Sequence, residues 1–403
     1  MIRKKRMGKG IAKILSGLLV FGMVAGLVPA VPGGTVNAKA TEISGQNATA
    51  EPHTHCVCGT GNLSVERHTH KEETWTGISK LSDINREGNY YLTQDVTLTS
   101  AWTCQRNVNL CLNGHSITRT AKEYYDQNGN NAVIIIKNNV DFTLTDCKGT
   151  GTITHKQGVS GEGVYNDGRF FMYNGIIFGN NGGVKNPGMF FMYGGTITSN
   201  TANNGGGVDN AGTGRFIMYG GTITGNKAEQ TYGTEYGGGV YNQGTFNMYG
   251  GEITNNTATV GGGGVFNKGT FTMSGGEITS NSSESYGGGV CYSSSQLFKM
   301  SGTVNITENK VGTTPNNLYL WNGQQVSASG LTSGAEIGVT TQIVPINDSS
   351  VPITSDSVSV NCFSSDKSDY ETAIDENSKV VLKKKTAVEA PSITKQPQPV
   401  SVK

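Results

Sequence analysis

Between Thr60 and Lys310 the chain has a single proline, Pro187. Proline cannot donate to a strand ladder, so central paired strands exclude it; a flexible Gly-rich linker has no reason to. Charge is also scarce. Asp, Glu, Lys and Arg make up 15% of the chain and the formal net charge is +1. That excludes the basic surface of a nucleic-acid binder. No apolar run long enough to cross a bilayer lies beyond the N-terminus, so no transmembrane span is expected in the mature chain. The seven cysteines, Cys56, Cys58, Cys104, Cys111, Cys147, Cys291 and Cys362, are odd in number and scattered. They do not make a disulfide framework. If one bond forms in an exported chain, Cys104–Cys111 is the pair expected.

The N-terminus has the order of a secretory signal. Arg3, Lys4, Lys5, Arg6, Lys9 and Lys13 precede a short apolar stretch from Ile14 to Val28, and Ala38-Lys39-Ala40 supplies small residues for cleavage after Ala40. A membrane anchor is the competing reading, but the stretch is short and interrupted by Gly17, Gly22 and Gly26. Secretion or cell-surface localisation is the expectation.

Glycine is what the chain has in abundance, 58 of 403 residues, and the glycines are phased. Met172, Met192, Met218, Met248, Met273 and Met300 each have Phe two residues earlier: Phe170, Phe190, Phe216, Phe246, Phe271 and Phe298. After the first five, Ile follows at plus five (Ile177, Ile197, Ile223, Ile253, Ile278) and Asn at plus eight (Asn180, Asn200, Asn226, Asn256, Asn281). The sixth word slips by one residue, to Ile306 and Asn309. A Gly-rich turn and a Val-x-Asn word precede most of them. The methionines are 20 to 30 residues apart, the range of solenoid repeats. Phe-x-Met is period two, a strand with both large side chains on one face. Val-x-Asn and x-Ile-Thr-x-Asn read as two more short strands, and Gly-Gly turns the chain between them. The reading is all-β: three short strands per coil, coils paired in parallel about 4.8 Å apart, like residue on like. The two asparagine series, at plus eight and at Asn166, Asn186, Asn210, Asn242 and Asn267, are expected to form amide ladders.

The pattern extends outward in degenerate form through "VNLCLNGHSIT", "VDFTLTDCKGTGTIT" and "NLYLWNGQQV". The expected organisation is a signal peptide at 1–40, a flexible His/Cys-rich segment at 41–75, a parallel β-helix at 76–330 and a C-terminal β cap at 331–385. Residues 386–403 read as a linker or the start of a truncated Ig-like module, and the ending in "APSITKQPQPVSVK" suggests a fragment.

Words such as "GGGVYNQGTFNMYGGEITNN" resemble the right-handed parallel β-helix repeats of adhesin-like surface proteins of Gram-positive bacteria. More distantly they resemble polymorphic outer-membrane repeats. The resemblance covers about residues 100–330. It implies secretion, surface exposure and often adhesion to glycans or to host or partner surfaces, and it fixes no ligand. Pectate lyases and polygalacturonases share this pectin-lyase-like fold, so a polysaccharide-active lyase or glycoside hydrolase is the alternative, and fold alone does not decide.

Within the repeat, acids are few. Asp209, Glu235, Glu252 and Glu277 occupy different positions, except that Glu252 and Glu277 share one offset in adjacent coils. They are one strand spacing apart, as a cation site or as two solvated side chains. No Ser/His/Asp arrangement is evident, His115 and His155 are lone, and the Gly-rich words lack the Asp of calcium-binding nonapeptides. No catalytic residue is assigned. Upstream, "HTHCVCG" and "HTH" bring His53, His55, Cys56, Cys58, His68 and His70 together, and four of these could complete a zinc site. A flexible polar tail with incidental thiols is the competing reading. The residue after each methionine points outward, giving Tyr173, Tyr193, Tyr219 and Tyr249 as a platform for sugar rings or partner aromatics, unless they only stack on one another. Length variation collects before each Val, so one edge gathers insertions. The longest holds Tyr232 and Tyr236, further binding candidates.

Overall fold

The computed structural model describes residues 53–57, 71–121, 131–229, 236–358 and 362–386. Residues 1–40, Cys58, His68, His70, Tyr232, Glu235 and 387–403, on which several sequence-based expectations fall, lie outside them.

The period-two words become strands. Val-x-Asn forms Val164–Asn166, Val184–Asn186, Val208–Asn210, Val240–Asn242 and Val265–Asn267. Phe-x-Met lies in Arg169–Met172, Met189–Met192, Arg215–Met218 and Thr245–Met248. The isoleucine word gives Ile176–Phe178, Thr196–Thr198, Thr222–Thr224 and Glu252–Thr254. In the last two repeats the second and third strands merge into Thr270–Thr279 and Phe298–Thr307. Each strand pairs in parallel with the same word one repeat later, Met172 with Met192, Met192 with Met218 and Met218 with Met248. The column continues through Met273 to Met300, and all six methionines are fully buried. Phe170 to Phe298 stack beside them with ring centroids 4.6–4.9 Å apart. The slipped sixth word is accommodated by a register shift between Met273 and Gly275. The result is an all-β chain dominated by one large parallel sheet, with pairing compatible with a β-helix.

Glycine is needed where strands turn over a neighbour's backbone. A Cβ on Gly239 would lie 2.6 Å from the Gly264 carbonyl oxygen and 2.9 Å from Ile253 Cγ2. Gly251 has φ +87°, and a Cβ there would lie 2.6 Å from Met218 Cε.

Three features differ from the sequence reading. From Asn200 onward each repeat carries a further two-residue strand after the ladder asparagine: Thr201–Ala202, Lys227–Ala228, Thr257–Ala258, Ser282–Ser283 and Lys310–Val311, paired in parallel. These lie in the segment of variable length, which keeps register at its first residues and again at parallel bridges before the next Gly-rich turn, so three strands per repeat is an undercount. Parallel pairing also runs past residue 330, because Glu336–Thr341 pairs with Phe298–Thr307, Leu318–Leu320 and Phe363–Ser365. Only Ser350–Pro352, Tyr370–Ile374 and Val380–Lys384 form a separate antiparallel sheet. Finally, Cys104 and Cys111 are both free thiols, so the expected bond does not form: Cys104 Sγ faces the Arg106 carbonyl, and Cys111 lies against Cys147.

The asparagines form ladders with a direction. His155 Nδ1 lies 2.9 Å from Asn180 Oδ1. Asn180 Nδ2 donates to Asn200, Asn200 to Asn226, and so on through Asn256, Asn281 and Asn309 to Asn317, at 2.9–3.1 Å. Asn317 donates in turn to the Asp366 carboxylate at 2.6 Å. A chain of amides needs a donor at one end and an acceptor at the other, and a carboxylate supplies acceptors alone. The residue before most ladder asparagines takes positive φ, at Gly179, Ser199, Gly225, Asn255, Ser280 and Glu308. That conformation disfavours side chains, and here it turns the following amide inward, where each ladder asparagine is buried. A second ladder runs Asn166, Asn186, Asn210, Asn242, Asn267 at 2.6–2.8 Å.

Candidate metal centre and outward ladders

His53 and His55 are two residues apart around a short strand, Thr54–His55, and alternation puts them on the same side. Thr54–His55 pairs antiparallel with Glu73–Thr74. Trp75 reinforces the pairing: its N–H donates to the His53 carbonyl and its indole Nε1–H to the His55 carbonyl, both at 3.0 Å. The His55 ring stacks on Trp75 at 4.3 Å, and the His53 ring on Tyr91 at 4.1 Å.

Tyr91 belongs to Gly88–Leu92, which is in register with Val108–Cys111, so Tyr91 lies beside Cys111. Val108–Cys111 pairs next with Asp141–Thr145, matching Cys111 to Thr145. Cys147 follows in the turn beyond. That turn is pinned by Asp146, whose carboxylate accepts the Gly114 N–H at 2.7 Å and the Gly151 N–H at 2.6 Å. The Cys147 N–H points at Cys111 Sγ, 3.4 Å away, and Cys147 Sγ lies 3.8 Å from His53 Nε2.

One ligand atom from each of His53, His55, Cys111 and Cys147 lies within 4.8 Å of every other, so this His/Cys group could hold a metal ion. Two observations test the fit. The His55 Nδ1 is 2.6 Å from the Cys56 carbonyl, which can only accept, so Nδ1 carries the proton. Its other nitrogen, Nε2, is then a lone pair; it is buried and without a hydrogen-bond partner, on a side chain 8% exposed. A buried nitrogen left without a partner is costly unless something binds it. Second, bond lengths of about 2.0–2.3 Å around a tetrahedral ion put neighbouring ligands roughly 3.3–3.8 Å apart, and the His53–Cys147 distance of 3.8 Å lies at the upper end. Burial pulls both histidines below the usual imidazole range; for His53 the neighbouring His55 and Lys148 add to it. Both rings are thus favoured in the neutral form that ligates. Burial pushes the Cys111 thiol up, the direction a bound cation reverses.

Of the residues expected from sequence, His53 and His55 enter this group. Its sulfur comes from Cys111 and Cys147 rather than Cys56, because stacking of repeats brings the strand ends beneath the histidines. The signal for this was thin: Cys111 and Cys147 end the "NLC" and "TLTDC" words of the two degenerate repeats, but Cys147 stands two residues beyond the place matched to Cys111.

Outward, Tyr173, Tyr193, Tyr219 and Tyr249 stack in one column at 4.7–5.1 Å with rings within 15° of parallel. Tyr249 is 47% exposed. Tyr236 is elsewhere. It packs on Phe266 at 4.1 Å in a second cluster with Tyr241, Cys291 and Tyr319, and the Lys268 ammonium sits 5.2 Å from its ring. Glu252 and Glu277 are register neighbours. Asp209, isolated in sequence, sits beside Lys185 on the next strand. Burial pushes its carboxyl up to about 6, with Lys185 opposing and Glu162 reinforcing; Glu162 is itself raised by burial. The Asp209 Oδ1 is buried without a hydrogen-bond partner. His155 is buried in the ladder, and His115 pairs with Asp95 at 3.4 Å.

The chain matches no protein-family model, no curated protein and no solved structure.

Proposed function

We propose that the chain is a secreted, surface-associated right-handed parallel β-helix, closed by the C-terminal strands, that serves as a rigid spacer and presents an aromatic face to glycans or partner surfaces. The observation that carries this reading is the tyrosine column. Four flat rings held at the strand spacing offer a surface on which sugar rings or partner aromatics stack, with hydroxyls at the edge for hydrogen bonds. Such rigidity needs no induced order on binding. The test is a glycan array and a cell-surface adhesion assay on the wild type and on Tyr219→Ala/Tyr249→Ala. Loss of binding with an unchanged far-UV spectrum supports the reading; unchanged binding refutes it.

Zinc is the ion that suits the His53, His55, Cys111 and Cys147 group, since two thiolates and two imidazoles form a closed tetrahedral donor set. Four protein ligands leave no position for substrate, so the role is structural: the ion ties the residue 53–57 strap to the first repeats. Elemental analysis should give one zinc per chain, lost in His55→Ala.

The alternative, a polysaccharide-active enzyme, is favoured by one observation, the Glu162, Lys185 and Asp209 group on one outer face. Uronic-acid lyase and glycosidase assays on wild type and Asp209→Asn decide it.

A further inference from the structure

The metal centre contains a pair of thiols that can react with each other. Their sulfurs are within 4.8 Å, and the backbone nitrogen of Cys147, two bonds from its Cβ, is only 3.4 Å from Cys111 Sγ. Both positions are fixed independently of any ion. Cys111 ends a strand paired on both sides, and Cys147 sits in the turn that Asp146 pins. To bond, the two sulfurs must close from within 4.8 Å to about 2.05 Å. Access is unequal: Cys111 is buried, while Cys147 is half-buried and reachable.

We propose that Cys111 and Cys147 form a redox-responsive pair with two mutually exclusive states, a disulfide or the thiolate half of the metal centre. This rests on the zinc reading above. The oxidant is a small-molecule disulfide. The Cys147 thiolate attacks one sulfur of glutathione disulfide, its S–S bond breaks, and one glutathione thiolate leaves with the electron pair. The Cys111 thiolate then attacks Cys147 Sγ in the mixed disulfide, and the second glutathione thiolate leaves. Two cysteines are oxidised, one glutathione disulfide is reduced to two glutathiones, and the two thiol protons end on the leaving groups. In the disulfide neither sulfur is a thiolate, so two of the four donors are gone and the histidines alone remain. Oxidation would therefore release both the ion and its hold on residues 53–57.

The test uses the wild-type chain, prepared zinc-free and zinc-loaded, and exposed to glutathione disulfide. Intact mass and peptide mapping follow the bond, and elemental analysis follows the ion. In the zinc-free protein a Cys111–Cys147 disulfide should form while buried Cys104 stays reduced. Zinc should slow its formation at least about tenfold, and the oxidised protein should bind at least about tenfold less zinc. Zinc binding without a Cys111–Cys147 disulfide overturns the redox pair and leaves the metal reading standing. A disulfide in a chain that never binds zinc overturns the metal reading and the exclusivity with it. Equal zinc uptake by oxidised and reduced protein overturns exclusivity alone. A Cys147→Ser chain, which cannot form the bond, should show no mass loss and confirms the assignment.

Discussion

Asn226→Ala is the sharpest probe of what holds the stack together. The Asn226 amide is fully buried and makes four hydrogen bonds. Its Oδ1 accepts the Asn200 N–H at 3.1 Å and Asn200 Nδ2 at 2.9 Å, and its Nδ2 donates to Asn256 Oδ1 at 3.0 Å and to the Ile197 carbonyl at 2.9 Å. Asn256 Oδ1 keeps the Asn226 backbone N–H, and Asn200 Nδ2 keeps the Ile177 carbonyl, so those two retain a partner. One buried backbone group does not, the Asn200 N–H, whereas the Ile197 carbonyl stays in the strand ladder with Thr222–Thr224. At about 1–3 kcal/mol for a buried orphan, the expected loss is roughly 1–3 kcal/mol, a sizeable share of the stability of a typical domain. The assay is urea denaturation followed by far-UV circular dichroism, with hydrogen exchange at the Asn200 amide as the local readout. The half-buried Thr224, on the outward side of the adjacent strand, is the control, and Thr224→Ala should cost under about 1 kcal/mol. A loss below about 1 kcal/mol in Asn226→Ala, with Asn200 still protected from exchange, would refute the claim that the ladder carries backbone satisfaction.

Glycine substitution should split by position: Gly239→Ala drives a Cβ to 2.6 Å from the Gly264 carbonyl and should abolish or severely weaken folding, whereas Gly212→Ala meets nothing within 4 Å and should leave the melting temperature within a few degrees. Asp209 gives a pH signature. Its folded-state carboxyl lies near 6, above its unfolded value, so its contribution to stability is full below about pH 4 and lost as pH rises through 6. Asp209→Asn should therefore raise the urea midpoint at pH 8 and change it little at pH 4; an equal effect at both pH values refutes this. Asp366→Ala removes the acceptor that ends the longer ladder, taking away the partner of the Asn317 backbone N–H and of its Nδ2, while Asn317 Oδ1 keeps Asn309. It should lower stability by roughly 2–4 kcal/mol in the same denaturation assay, while a neutral result would mean that water serves as well.

Much of this protein was legible in its sequence because the fold repeats. Fixed offsets of Val, Phe, Met, Ile and Asn imply that like side chains meet like, and parallel in-register pairing is the one arrangement that satisfies every offset together. The buried methionine column, the stacked phenylalanines, the amide ladders and the outward tyrosines all follow from that periodicity. The fourth short strand did not, because the segment holding it varies in length and its only recurrent side chain is a small one, Ala202, Ala228 and Ala258, replaced by Ser283 and Val311 in the later repeats. Nor did the ends of the longer ladder: His155 and Asp366 lie outside the repeated words, and only the three-dimensional path brings them to Asn180 and Asn317.

The candidate metal centre divides the same way. His53 and His55 were visible as a local motif, since alternation along a strand acts between near neighbours. Cys111 and Cys147 stand 36 residues apart in degenerate repeats where the pattern is weakest, and they meet because stacked repeats convert a sequence period into a strand spacing. Lys185 comes beside Asp209 by the same conversion. Local order belongs to residue pattern; the meeting of distant side chains belongs to how one turn of chain settles on the next, which backbone hydrogen bonds and close packing decide together.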